Sequence, residues 1–206
     1  PSIQQVSLED YGNPPLSGDD DFFFDLQWGH DAVDAPEAWN MGLRGAGVRV
    51  AVLDGGFDLD HPDLAPNINF ALSKDFTDEG LQYTLPDAFS HGTHTAGTIG
   101  AADNAFGTIG VAPEVELVLI KVLGDAGSGS FGDVIDGIVY AANMDADLIN
   151  MSLGASLKKS GVKGDYSARE AQELILAINR AVTYAYQSGT TVFASSGNDA
   201  IDGDKD

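Results

Sequence analysis

Four apolar runs rich in β-branched residues, separated by stretches of helical spacing, limit this chain to few architectures. Val48-Arg49-Val50-Ala51-Val52-Leu53, then Val115 to Val122, Asp147 to Ser152 and Thr190 to Ala194 each read as a buried strand. Between them, His91 to Gly100 reads as a helix closed by its glycine. Residues 132–143 bring Val134, Ile135, Ile138, Val139 and Ala142 to one helical face. Residues 168–187 do the same with Leu174, Ile175, Ile178, Ala181, Val182 and Ala185. Strands alternating with helices predict an α/β fold of three layers, a mostly parallel sheet flanked by helices with right-handed crossovers. Near the start, Asp34 is the expected N-cap of a short helix with Pro36 in its first turn.

With 206 residues, 43% of them hydrophobic, the chain can bury the core of one domain. Residues 1–21 stand apart: Gly12, Pro14-Pro15, Gly18 and Asp19-Asp20-Asp21 break any regular pattern, so they are read as an acidic arm before a domain of residues 22–206. The 32 acidic and 10 basic residues give a formal charge of -22, a field that repels phosphate backbones and anionic lipid. Nucleic acid and membrane are therefore not expected partners, and no apolar run is long enough to cross a bilayer. The absence of cysteine excludes disulfides, a thiol nucleophile and thiolate metal sites without fixing the compartment. Opening on Pro1 rather than Met, the chain is expected to be a processed or excised product.

The first strand ends in Asp54-Gly55-Gly56, at the carboxyl edge where parallel sheets carry functional groups. Further on comes His91-Gly92-Thr93-His94-Thr95-Ala96-Gly97-Thr98-Ile99-Gly100, whose small residues would let a helix pack closely on the sheet. A carboxylate on one ring nitrogen of His91 would fix the tautomer and leave the other nitrogen as a general base, a pairing whose third member would be a serine. His91 and His94, three apart, could instead share a transition metal, but no carboxylate motif stands beside them.

These two motifs, followed by Ser152-Leu153-Gly154 and Ser195-Ser196-Gly197-Asn198, stand in the order found in subtilisin-like serine proteases, and residues 22–199 resemble that family. The resemblance implies that Asp54 is the orienting acid, His91 the general base and Asn198 the side-chain donor to the oxyanion. It implies that Ser152, Leu153 and Gly154 form one edge and Gly127, Ser128 and Gly129 the other of a groove that takes extended polypeptide as an added strand. Phe131 would wall a more distant subsite. It also implies a Ca²⁺ site built from Asp63, Asn104 and the carbonyls of Ala102, Phe106 and Thr108, with Asp20 of the arm as a further ligand. The implied location is extracellular. The expected partners are polypeptide substrates and a propeptide or proteinaceous inhibitor in the groove, and residues 4–11 resemble the end of such a propeptide.

Two departures qualify the resemblance. Gly55 stands where the family carries Ser or Thr, and no Gly-Thr-Ser nucleophile motif occurs in the 206 residues. Ser195 and Ser196 are read as small residues lining a specificity pocket. The chain is therefore expected to be the amino-terminal portion of a serine endopeptidase, incomplete at its carboxyl end and inactive alone. The serine would come from a segment beyond residue 206, which as a separate fragment would be a further partner. The alternative is a catalytically inactive peptide-binding module of the same fold.

Overall fold

The computed structural model describes residues 20–85, 90–155, 157–163 and 166–198. The expected arm, residues 1–21, lies outside them except for Asp20 and Asp21. In chain order the strands are β1 (Arg49–Asp54), β2 (Lys74–Asp75), β3 (Glu116–Lys121), β4 (Leu148–Met151), β5 (Gly161–Val162), β6 (Tyr166–Ser167) and β7 (Thr191–Ala194). The helices are α1 (Gly29–Ala32), α2 (Ala35–Asn40), α3 (His91–Gly100), α4 (Phe131–Asn143) and α5 (Ala168–Gln187).

Five strands form one parallel sheet in the order β2-β3-β1-β4-β7, while β5 and β6 pair antiparallel on their own. Alternation along the strands sorts the core onto two faces. Val50 and Val52 of β1 join Leu117 and Leu119 of β3 and meet Ala96 of α3, Phe57, Leu64 and Ile68. Ala51 and Leu53 join Val118 and Ile120 on the other face and meet Ile138, Ala141 and Ala142 of α4 and Ala181 and Ala185 of α5. This is the three-layer arrangement expected of the sequence. Each fully buried aliphatic side chain, such as Ile138 or Leu119, contributes about 1.5–3 kcal/mol by leaving water.

The small residues of α3 act unequally. A Cβ at Gly92 would sit 2.9 Å from the Phe57 ring, and one at Gly100 would sit 2.5 Å from Val115, whereas the nearest atom to Gly97 is 4.0 Å away. Gly92 thus lets α3 close on Phe57 beyond the end of β1, and Gly100 lets it close on Val115 and Leu117. The helix starts itself locally. Ser90 accepts a hydrogen bond from the Thr93 amide, Ser130 from the Asp133 amide opens α4, and Ser167 with Glu170 forms a capping box at α5.

Asp34 departs from expectation. It occupies the N-cap position of α2 in a left-handed conformation, φ 56°, and makes no side-chain capping bond. Aspartate tolerates that backbone better than most residues, which accounts for a polar side chain there. On α5, Ala181 and Ala185 are buried as expected, but Leu174, Ile175, Ile178 and Val182 are only half-buried. Ile175 and Ile178 line a groove instead, and β7, the outermost strand, leaves Phe193 exposed.

Candidate active site

The carboxyl edge of the sheet gathers the candidate residues. Asp54 is the last residue of β1 and His91 the first of α3, and two bonds tie strand end to helix start. The Ser90 hydroxyl donates to the Gly56 carbonyl at 2.7 Å, and the Asp58 amide donates to the Thr93 hydroxyl at 2.8 Å. The resulting geometry sets Nδ1 of His91 2.9 Å from both carboxylate oxygens of Asp54. Asp54 is 2% exposed, and the Gly55 amide donates to its Oδ1 at 2.7 Å. A main-chain donor thus reaches the acid although Gly55 carries no hydroxyl. The His91 side chain remains 58% exposed, and among the described residues no hydroxyl bonds to its Nε2. An imidazole anchored at Nδ1 and open at Nε2 can take up a proton from a nucleophile presented there.

A cleft of about 420 Å³ opens beside the pair, lined by Tyr83, Leu123, Gly127, Ser152, Leu153 and Gly154 among others. It continues into a groove of about 620 Å³, where Gly127, Ser128, Gly129 and Phe131 meet Leu153 and Gly154. The glycine-rich edge is a turn closed by hydrogen bonds from Gly124 N to Ser128 O and from Gly127 N to Gly124 O, both 2.8 Å. Phe131 follows as the first residue of α4. On the other side, the Ser195 amide bonds Met151 O at 3.1 Å and its hydroxyl reaches Leu153 O at 3.4 Å, extending the pairing of β7 with β4. Asn198 lies on the exposed segment beyond β7, at the same edge of the sheet. Among the described residues, neither Asn198, Ser195 nor Ser196 lines the cleft that contains His91.

Asp63 is 3% exposed, and its Oδ1 is buried with no hydrogen-bond partner among the described residues. The loop of residues 102–108 wraps it. The Thr108 amide donates to its Oδ2 at 3.0 Å, the Ala102 amide to its carbonyl at 2.7 Å, and Asn104 to the neighbouring Pro62 carbonyl at 3.3 Å. Asn104 Oδ1 accepts from the Phe106 amide at 2.9 Å. Gly107 turns with φ 61°, and a Cβ there would collide with the Asp63 carboxylate. Beside this loop, Asp20, Asp21 and Asp103 bring carboxylate oxygens within 4.8 Å of one another, the grouping among the described residues suited to a metal ion. Asp21 Oδ1 accepts from the Asn104 amide at 3.4 Å, so the two clusters adjoin, and Arg44 pairs with Asp103. Asp21 and Asp103 escaped the sequence reading, although the run Asp19-Asp20-Asp21 signalled the first. Among the described residues, His91 and His94 belong to no such grouping.

Behind the cleft wall the sequence reading also missed Lys121, whose side chain is fully buried at the end of β3, in register with Asp54. Burial would raise the carboxyl group of its partner Asp125, but hydrogen bonds from Lys121 and Thr84 prevail and hold it below the usual aspartate value. Asp75 behaves alike: burial works upward, while Thr77, Gly80 and the Lys121 charge bring it down. A lysine between the apolar Ile120 and Val122, in a run read as a buried strand, was the available signal.

Residues 45–206 match the profile of the subtilase family. The chain is 42% identical over 176 residues to the Intracellular serine protease of Paenibacillus polymyxa, covering 85% of this chain and 48% of that protein. It is 40% identical over 184 residues to the Major intracellular serine protease of Bacillus subtilis (strain 168), covering 88% of this chain and 52% of that one. Among solved structures, a crystal structure of a lanthipeptide protease superposes with a TM-score of 0.61 at 30% identity, over 79% of this chain and 43% of the other. The chain spans about half the length of the curated relatives it matches.

Proposed function

Because this chain belongs to the subtilase family, we propose that it supplies the acid-base half and the substrate groove of a serine endopeptidase. The serine would come from a segment beyond residue 206. The observation that carries this reading is the Asp54–His91 pair at the mouth of a cleft with glycine-rich edges. In this reading an extended polypeptide lies between Gly127-Ser128-Gly129 and Ser152-Leu153-Gly154 with its main chain bonded to both edges, and Phe131 walls the far subsite. His91 Nε2 takes the serine proton as the hydroxyl attacks the peptide carbonyl, Asp54 stabilises the imidazolium, and the proton then passes to the leaving amine. Asn198 donates to the oxyanion.

For the 206 residues by themselves, a specific observation favours a second reading, a module that binds polypeptide without cleaving it. The sequence contains no Gly-Thr-Ser motif, and among the described residues no hydroxyl bonds to His91 Nε2. An inhibitory peptide segment would occupy the same groove.

The Oδ1 of Asp63, buried without a hydrogen-bond partner among the described residues, suits a hard cation. Ca²⁺ would be held by Asp63, Asn104 and the carbonyls of Ala102, Phe106 and Thr108, with Asp20 or Asp21 approaching from the preceding segment. Its contribution would be to pin that loop. No helix among the described residues is long and apolar enough to cross a membrane. Secretion belongs to the proposal, and the two relatives named intracellular proteases supply the competing compartment, which cell fractionation separates.

The deciding experiment treats this chain, and the longest polypeptide its gene encodes, with a serine-directed phosphonate and a fluorogenic peptide. Labelling and turnover by the longer product, with binding alone by this chain, supports the endopeptidase. Binding without labelling in both makes the protein a peptide-binding module. Absence of peptide binding in both removes the whole proposal.

A further inference from the structure

Tyr83 lies on one wall of the cleft beside His91, and the turn Gly124 to Gly127 lies on another. The loop carrying Tyr83 follows β2 and the turn follows β3, and the turn has few side chains with which to hold its own shape. A cluster of charges under the cleft joins the two. The Lys121 ammonium lies 2.6 Å from Asp125 Oδ1, 2.9 Å from the Gly80 carbonyl and 3.5 Å from Glu79 Oε2. Asp125, 6% exposed, reaches out of the turn: its Oδ2 accepts from the Thr84 amide at 2.9 Å and the Thr84 hydroxyl at 2.5 Å. Glu79 reaches the opposite way, its Oε2 accepting from the Asp125 amide at 2.8 Å. Each loop therefore gives a carboxylate to the backbone of the other, and both carboxylates rest on one buried ammonium.

Neutralising Lys121 requires only one oxygen of Asp125. The second oxygen is bound to Thr84, the immediate neighbour of Tyr83, and is not the one that contacts the lysine. We propose that Asp125, seated on Lys121, is a positioning residue that clasps the Tyr83 loop to the glycine-rich edge. It thereby sets the width of the cleft beside His91 and its preference for the size of the side chain bound there. The inference rests on the reading of the cleft as a polypeptide site. Asp125 itself touches no reacting atom.

Asparagine is the informative replacement, because it keeps the size of Asp125 but has one acceptor oxygen in place of two. With that oxygen on Lys121, the amide nitrogen would meet the Thr84 N–H donor to donor. Thr84→Val removes only the hydroxyl bond at an exposed position and serves where Asp125→Asn folds poorly. The test measures binding of the 206-residue chain to peptides in which each position in turn is Ala or Phe, together with amide hydrogen exchange. At one peptide position the Ala-to-Phe affinity ratio should change about five-fold in Asp125→Asn and in Thr84→Val, and vanish in Tyr83→Ala, with the other positions unaffected. Exchange at Thr84 should quicken about ten-fold in Asp125→Asn. A uniform loss of affinity at every position, with all ratios preserved, would mark a purely structural residue and overturn the proposal. Should the wild-type chain bind no peptide, the polypeptide reading fails by itself, and exchange decides the clasp: unchanged protection of Thr84 in Asp125→Asn refutes it.

Discussion

Both carboxylate oxygens of Asp54 lie 2.9 Å from Nδ1 of His91, although 37 positions separate the residue that closes β1 from the one that opens α3. The strand buries the acid, so it cannot turn to water, and the capped helix start fixes where the ring emerges. A buried acceptor against an exposed base is an asymmetric pair. In the proposed chemistry, the far nitrogen takes the proton and Asp54 meets the charge this creates.

Replacing Asp54 with Asn puts a donor where Nδ1–H needs an acceptor and favours the wrong tautomer. On the endopeptidase reading, kcat of the longer polypeptide should fall about 10⁴-fold with KM little changed. Steady-state kinetics of Asp54→Asn against wild type check this. An unchanged kcat would remove Asp54 from the chemistry.

Calcium should stabilise the chain through the loop around Asp63. At a hundred-fold excess over its dissociation constant, a ligand bound only by the folded state adds about 2.7 kcal/mol. Thermal melts with and without a chelator should differ in wild type, and the difference should shrink in Asp63→Ala. Equal melts for wild type in both buffers would count against the ion.

Asp125 has a folded-state carboxyl below the ordinary value of 3.8, since hydrogen bonds from Lys121 and Thr84 outweigh burial. The sign follows from linkage: its stabilisation is complete above that value and is lost as pH falls through the lower folded value. Melting points of wild type and Asp125→Asn should therefore differ by a constant amount from pH 7 to about 5 and converge in stronger acid. Glu116, lowered by the Arg49 and Asn69 hydrogen bonds, adds acid lability common to both proteins.

Packing separates the two sides of the helical layer. Ile138 is fully buried between α4 and the sheet, so Ile138→Ala should cost about 2–5 kcal/mol. Leu176 on α5 is 54% exposed, and Leu176→Ala should stay within about 0.5 kcal/mol. Denaturant unfolding of the two variants measures the contrast.

Much of this was legible in the residues because its signals are local. The long strands and helices declare themselves by period, and Asp54-Gly55-Gly56 and the His91 decapeptide are contiguous motifs. Two-residue strands such as β2, β5 and β6 contain too few residues to show a period. The Lys121–Asp125–Thr84–Glu79 clasp depends on the register that sets β2 beside β3, which no single stretch of sequence encodes. Asp34 misled because a left-handed residue and a capping residue draw on the same side chains.

The sheet order carries a temporal consequence. β1 sits at the centre, yet its partners in the parallel pairing begin at Glu116 and Leu148. Long chain segments must close before any pairing energy is returned, a topology that folds slowly. On the ribosome β1 emerges before either neighbour and waits unpaired, so the groove takes shape only once β3 and β4 have followed it.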